Sequence, residues 1–311
     1  AGGTPGRPIL TATIPPQRMA MLAARLDESM PVGNEGAGTV VAAGENGAHL
    51  IGRKVGMIGG AMYTQYRKLR LSECTPLPEG ASAADGASMF VNPLTSLGFT
   101  EVMKAEGHKA IVHTAAASNL GQMLNKICLA DGIPLVNIVR SAEQADILRA
   151  IGARYIVNSS APDFMAALTD AIAETGATLG FDAIGGGKLA GQILSAMEAA
   201  ANRTAAVYSR YGSSTFKQVY IYGALDFGPT LLDRSFGLSW SVSGWLLTPF
   251  LMKAGAEVNA RMRQRIVDEL TTTFASHYTA TISLADALKP ENVAAYQRKT
   301  TGEKYLIDPS L

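Results

Sequence analysis

Apolar positions along this chain fall into two alternating rhythms from residue 109 to about residue 222. Short β-branched runs of the kind that fill buried strands occur at Lys109–Thr114, Pro134–Val139, Tyr155–Asn158, Leu179–Ala183, Thr204–Tyr208 and Val219–Tyr222. Between them, apolar residues recur at helical spacing: Leu120, Met123, Leu124, Ile127 and Cys128; then Glu143–Ile151; then Phe164, Leu168 and Ile172; then Leu189, Ile193 and Met197. Gly132 and Gly152 stand where the first two helices should stop. Six strands joined by helical crossovers predict an α/β fold, a doubly wound parallel sheet with its ligand at the carboxyl ends of the strands.

The first β-α-β unit carries the most specific signal. A dinucleotide-binding turn needs small residues, because its backbone approaches a pyrophosphate and its helix must sit close to the strand. The usual pattern has three glycines. Here Ala115 or Ala116 takes the first place, Ser118 lies near the second, and Gly121 alone survives as the third. The predicted cradle is therefore Ala116, Ala117, Ser118, Asn119, Leu120 and Gly121, at a helix N-terminus that attracts phosphate. Arg140, with Ser141 beside it, ends the second strand, where such folds meet the adenosine ribose. An acid there favours NAD or S-adenosylmethionine; a guanidinium suits the 2′-phosphate of NADP. Other strand ends nominate Asn158, Ser159, Asp182, Ala183, Tyr208 and Ser209. Asp182 reads equally as a turn or cap residue, and Tyr208 equally as a core aromatic.

Upstream, residues 1–30 open on a glycine- and proline-rich loop (Gly2, Gly3, Pro5, Gly6, Pro8), and Pro15–Leu26 suits a short helix. The chain reads as starting mid-domain, with a segment expected before it. Short glycine-punctuated strands then predict a small β-barrel-like domain. Here the chain resembles the medium-chain dehydrogenases/reductases. It shows a G-N-E-G-A-G stretch (Gly33–Gly38) where that superfamily has G-H-E-G-x-G, then A-M-Y-T-Q-Y (Ala61–Tyr66), then V-N-P-L-T (Val91–Thr95), then the A-A-A-S-N-L-G-Q turn. The resemblance implies a GroES-like domain, N-terminally incomplete, from residues 1–92 and 276–311, and a Rossmann NADP-binding domain from 93–275. It places Asn158 and Ser159 near adenine, Asp182 and Ala183 near the nicotinamide ribose, Tyr208 and Ser209 near the nicotinamide, and Thr95 at its amide. It also points to a homodimer.

Asn34 stands where zinc-dependent members carry a ligand histidine, and no cysteine lies near Val91 or Asn92. Catalytic zinc needs about three protein ligands, so the resemblance is to the zinc-independent branch of quinone oxidoreductases and 2-enoyl thioester reductases. The implied activity is NADPH-dependent hydride transfer to a small apolar quinone or α,β-unsaturated carbonyl. A 2-enoyl thioester acceptor, a catalytically silent cofactor-binding protein and a zinc alcohol dehydrogenase with other ligands stay open. No residue is nominated as proton donor.

Bulk properties narrow the field. The chain has 311 residues and a net charge of +1, with no basic excess to hold nucleic acid. Cys74 and Cys128 are the only cysteines, which suits a reducing, cytoplasmic setting. Gly185-Gly186-Gly187-Lys188 lacks the spacing of a phosphate loop and reads as a turn beside the cofactor. Ser235–Met252 is uncharged and aromatic but interrupted by serines, Thr248 and Pro249. It reads as core, substrate cleft or subunit contact rather than a membrane span. Val219–Tyr222, last in the strand order, reads as an exposed edge for dimer pairing.

Overall fold

The computed structural model describes residues 2–4, 7–16, 19–298 and 301–311. It divides into two compact units, Asn92–Glu269 and the combination of Ala1–Val91 with Leu270–Leu311.

The nucleotide-type unit is entered through helix Val91–Ala105. Its alternating elements are β1 (Ile111–His113), α1 (Asn119–Asp131), β2 (Leu135–Val139), α2 (Ala142–Ala150), β3 (Tyr155–Asn158), α3 (Phe164–Thr175), β4 (Leu179–Asp182), α4 (Leu189–Arg203), β5 (Lys217–Ile221), β6 (Trp240–Gly244) and α5 (Leu247–Asp268). All six strands run parallel in the order β6-β5-β4-β1-β2-β3. Counted from β1, that is the 3-2-1-4-5-6 order of dinucleotide-binding sheets. Strand residues alternate between two cores. Val112, Val136, Ile138 and Val219 pack with α3 and α4, whereas Ile111, Leu135, Leu179 and Phe181 pack with Phe99 and α1. Burial on both faces is why these strands read as continuous apolar runs. Gly132 (φ 67°) and Gly176 (φ 69°) end α1 and α3 in the left-handed conformation that glycine adopts without a Cβ penalty.

Two strand assignments change. Thr204–Tyr208 is not a strand: it leaves α4 as an exposed loop, with Val207 82% and Tyr208 89% accessible. The place beside β4 belongs to Lys217–Ile221, which takes in most of the last run read from the sequence, Val219–Tyr222. Lys217 is fully buried there because its ammonium meets Glu198 at 2.6 Å. The sixth strand comes from within the aromatic run 235–252. Val219 is therefore internal, flanked by β4 and β6, and the sheet edges are β6 and β3. The dimer-edge reading of Val219–Tyr222 fails on that register.

The other unit contains an antiparallel three-stranded sheet of Glu35–Thr39, Lys54–Ile58 and Cys74–Pro76, a parallel pair of Ala280–Ile282 with Tyr305–Ile307, and a hairpin of Gly2–Thr4 with Arg7–Ile9. The anticipated early helix is a single turn, Met19–Leu22, followed by a 3-10 turn, Ala23–Arg25. Pro5, Gly6, Gln17, Arg18, Lys299 and Thr300, which fall within stretches read above, lie outside the described residues. Gly33 (φ 85°) lies against the second motif so closely that a Cβ there would stand 2.6 Å from the Tyr63 ring. Among the described residues no helix is long and apolar enough to cross a membrane.

Candidate cofactor site

The turn between β1 and α1 is built as a cradle. Ala115 takes a left-handed backbone (φ 50°) one residue before Ala116, which holds the first-glycine place counted back from Gly121. Ala116 N donates to Ile138 O at 3.2 Å, fixing the turn to β2. Ser118 caps α1, its Oγ accepting from Gly121 N at 3.2 Å, and Gln122 Nε2 donates to Ala117 O at 2.8 Å. At Gly121 a Cβ would lie 2.1 Å from Ala116 O, so the third glycine is obligatory for the helix–strand approach. Ala116, Ala117 and Leu120 are buried. Ser118 and Asn119, at the positive end of the α1 dipole, are partly exposed.

At the end of β2 the structure gathers four of the nominated residues. Arg140 is exposed, and among the described residues its guanidinium has no ion-pair partner. Its backbone is held on both sides: Arg140 N donates to Gln144 Oε1 at 3.1 Å, and Ser160 Oγ donates to Arg140 O at 3.0 Å. Ser141 caps α2 by accepting from Gln144 N at 3.3 Å. Its hydroxyl also holds the carboxyl of Glu143 below the usual range. From β3, Ser159 N and Oγ donate to Val139 O at 2.7 and 3.1 Å, and Asn158 Oδ1 accepts from Ser160 N. Ser160, not nominated from the sequence, belongs to this cluster. A third consecutive polar residue after Asn158 and Ser159 was the available signal.

At the end of β4, Asp182 is fully buried and its carboxylate is fully used. Oδ1 accepts from Thr114 Oγ1 (2.7 Å) and Ile184 N (3.0 Å), and Oδ2 from Gly185 N (3.1 Å). Thr114 Oγ1 in turn accepts from Ala183 N at 2.8 Å. Asp182 thus shapes the turn that carries Ala183, the cap reading of the two offered by the sequence. Helix Val91–Ala105 packs on the same sheet, with Phe99 stacked on Phe181 at 3.9 Å between ring centroids. Because that helix feeds the amino end of β1, its first turns, with buried Thr95, lie toward the strand carboxyl ends.

Tyr208 and Ser209 are misplaced by the strand reassignment. The loop that bears them joins the end of α4 to the start of β5, so it lies at the amino end of the sheet, away from the cradle. The end of the fifth strand carries Tyr222 and Gly223 instead. Tyr222 OH lies 2.8 Å from His113 Nε2. Burial pulls the imidazole of His113 down to about 3, leaving it neutral near pH 7. The signal was present as the V-Y-I-Y-G run, counted one strand too late.

In the other unit, Glu35 of the G-N-E-G stretch accepts from Phe90 N (2.7 Å) and Val91 N (3.0 Å). Burial pushes its carboxyl up, against those two amides and the charge of Lys304. Lys304 Nζ donates to Ser88 Oγ (2.7 Å) and Ser276 Oγ (3.1 Å). Asn34, Glu35, Ser88, Tyr278 and Lys304 all line a cavity of 1570 Å³. Among the described residues no three of His, Cys, Asp and Glu cluster as metal ligands.

No protein-family model matches the chain. Solved structures do. A candidate NADPH:quinone reductase of Mesorhizobium loti is 28% identical, with a TM-score of 0.71 over 89% of this chain and 77% of that one. Quinone oxidoreductase of Escherichia coli, solved with NADPH, is 18% identical with a TM-score of 0.68, covering 93% of this chain and 86% of that one. An enoyl thioester reductase of Candida tropicalis is 16% identical with a TM-score of 0.65, covering 94% and 87%. The chain is thus similar in fold to NADPH:quinone reductases and enoyl thioester reductases.

Proposed function

We propose that this chain, built on the fold that NADPH:quinone reductases and enoyl thioester reductases share, is an NADPH-dependent, zinc-independent reductase of quinones or conjugated enones. The observation that carries the cofactor reading is Arg140. It is an exposed guanidinium with no carboxylate partner among the described residues, at the end of β2, with Ser141 the next residue and the Ser160 hydroxyl on its backbone carbonyl. That donor set fits a 2′-phosphate. The α1 cradle would hold the pyrophosphate, with Ser159 and Asn158 on the adenine side and Ala183, Tyr222 and Gly223 on the nicotinamide side. Bound NADPH supplies a hydride. The protein's part is to orient both partners and keep the site dry.

The acceptor class follows from the residues available. Asn34 is a poor metal ligand, and among the described residues no three of His, Cys, Asp and Glu cluster where they could hold a metal to activate an alcohol. An acceptor that delocalises the incoming charge onto its own oxygen needs no metal. An enoyl thioester is the second reading, favoured by the Candida tropicalis neighbour. A carrier phosphate would seek a basic rim, and Arg67, Lys68 and Arg70 form a short basic run. A cytoplasmic homodimer is part of the same proposal, with β6 now the edge available for pairing; light scattering at micromolar concentration that finds a monomer would refute it.

The deciding experiment measures NADPH and NADH oxidation with a quinone, a short enone and a crotonyl thioester, in the wild type and in Arg140→Ala. One charge-assisted phosphate contact contributes roughly 1.5–3 kcal/mol. Arg140→Ala should therefore weaken NADPH by about ten- to a hundredfold and leave NADH nearly unchanged. Equal losses for both cofactors would remove the assignment.

A further inference from the structure

A second cluster of chemically active side chains belongs to the other unit. Segments far apart in the sequence bring Ser88, Ser276, Tyr278 and Lys304 together. Ser88 Oγ lies within hydrogen-bond distance of Lys304 Nζ (2.7 Å), Ser276 Oγ (2.9 Å) and Tyr278 OH (3.0 Å). Lys304 Nζ also donates to Ser276 Oγ at 3.1 Å and lies 5.2 Å from the centre of the Tyr278 ring. Backbone contacts hold these groups in place. Ser82 and Asp85 cap the helical turn Ala83–Gly86 that leads to Ser88, and Glu35 accepts from the amides of Phe90 and Val91 just after it. On the facing segments, Thr279 N donates to Lys304 O at 2.6 Å and Lys304 N donates to Thr279 Oγ1 at 3.2 Å. Those two bonds extend the pairing of Ala280–Ile282 with Tyr305–Ile307 and keep Tyr278 beside Lys304.

The set has the chemistry of an activated serine. A hydroxyl becomes a nucleophile when a base within hydrogen-bond reach takes its proton and a third group orients that base. A lysine serves as the base in one recurring form of this arrangement. Ser88 is only 7% exposed, so water competes little for its hydroxyl. Among the described residues Lys304 has no ion-pair partner; its ammonium meets hydroxyls. Burial pushes that ammonium down, and the charge of Glu35 opposes the shift without cancelling it. A lysine that gives up its proton more easily is what general-base work requires. Ser88, Tyr278 and Lys304 all line the 1570 Å³ cavity, which gives a substrate access to the serine. Ala83, Ala84 and Ala87 line it too and leave room for a small apolar acyl group, whereas Glu35 on the same lining repels an anionic one.

We propose that Ser88 is an acyl-accepting nucleophile with Lys304 as its base, in a second site that cleaves small, uncharged carboxylic esters. Ser88 Oγ bonds to the ester carbonyl carbon while its proton passes to Lys304 Nζ. The hydroxyls of Ser276 and Tyr278 are the donors beside the oxyanion so formed. Collapse breaks the bond to the alkoxy oxygen, which leaves as the alcohol with the proton from Lys304. Water then adds to the acyl carbon, Lys304 again takes and returns one proton, and the carboxylic acid leaves a free Ser88. The site is independent of the reductase reading.

The test treats the full chain with p-nitrophenyl acetate, records release of p-nitrophenolate, and locates the acetyl group by peptide mass spectrometry after an acid quench. Circular dichroism checks that each variant is folded. The acetyl group should be found on Ser88. Ser88→Ala should remove that adduct, and Lys304→Met should slow acylation at least about a hundredfold. An acetyl group on surface amines or on Lys304 but not on Ser88, or wild-type release by folded Ser88→Ala, overturns the site. If both variants unfold, the wild-type peptide map decides alone: acetylated Ser88 supports the site, and its absence overturns it.

Discussion

Gly121→Ala tests the structural basis of the cofactor cradle. The added methyl would stand 2.1 Å from Ala116 O, 2.6 Å from Ala116 C and 2.8 Å from Ala116 Cα. Ordinary contact begins near 3.4 Å, so about 1.3 Å must be recovered. No flexible side chain can yield, because all three of these Ala116 atoms are backbone. Ala116 is itself tied to Ile138 O through its amide, and moving α1 instead would break the Ser118 cap on Gly121 N. Overpacking costs about 1–3 kcal/mol where side chains can rearrange, and loss of a cap adds about 1 kcal/mol. We expect a loss of about 3 kcal/mol or more, with NADPH affinity falling at least tenfold because the turn itself is displaced. Urea unfolding gives the first number and NADPH titration of the folded fraction gives the second. Gly132→Ala is the control. It has positive φ but no atom within 4 Å of its Cβ, so it should lose only about 1 kcal/mol and leave the cofactor affinity intact. A Gly121→Ala protein within about 1 kcal/mol of wild type, binding NADPH normally, would refute the close approach of helix and strand.

Three further outcomes are expected. Ala115→Gly should stabilise the fold by about 0.5–1 kcal/mol, because the strain of a left-handed alanine exceeds the extra unfolded-state entropy of glycine; a less stable variant in urea titration would contradict the backbone assignment. Burial by itself raises the carboxyl of Glu198, but Lys217 and the hydroxyl and amide of Ser213 outweigh it and bring it down to about 2. The pair therefore contributes stability in full above the unfolded value of about 4.3, lost as pH falls toward 2. Glu198→Gln should cost about 3–5 kcal/mol at pH 7 and flatten the acid limb of the stability–pH curve, and an unchanged limb would reject the coupling. Purified protein should hold well under one zinc per chain and keep its NADPH-dependent turnover in a chelator, whereas stoichiometric zinc with chelator-sensitive turnover would return the chain to the zinc-dependent class.

Much of the nucleotide unit was legible in the sequence, because its signals are local. β1 through β4 and their helices are written in runs buried on both faces, in helix-spaced apolar residues and in stop glycines at 132 and 152. The cradle was legible for the same reason. Small residues from Ala115 to Ser118 and a glycine at 121 are what a close backbone approach requires, and a guanidinium at the end of β2 is a property of one position. What only the tertiary structure decided depends on pairing between distant residues. Thr204–Tyr208 has the composition of a strand, yet the place beside β4 goes to Lys217–Ile221, since Glu198 on α4 neutralises the lysine that its burial requires. That exchange moved the carboxyl end of the fifth strand from Tyr208 and Ser209 to Tyr222 and Gly223, and it made β6 rather than Val219 an edge of the sheet. The role of Asp182 was likewise open in the sequence. A carboxylate at a strand end serves a ligand or a turn, and the choice was made by Thr114, which lies 68 positions away in the chain and 2.7 Å away in space.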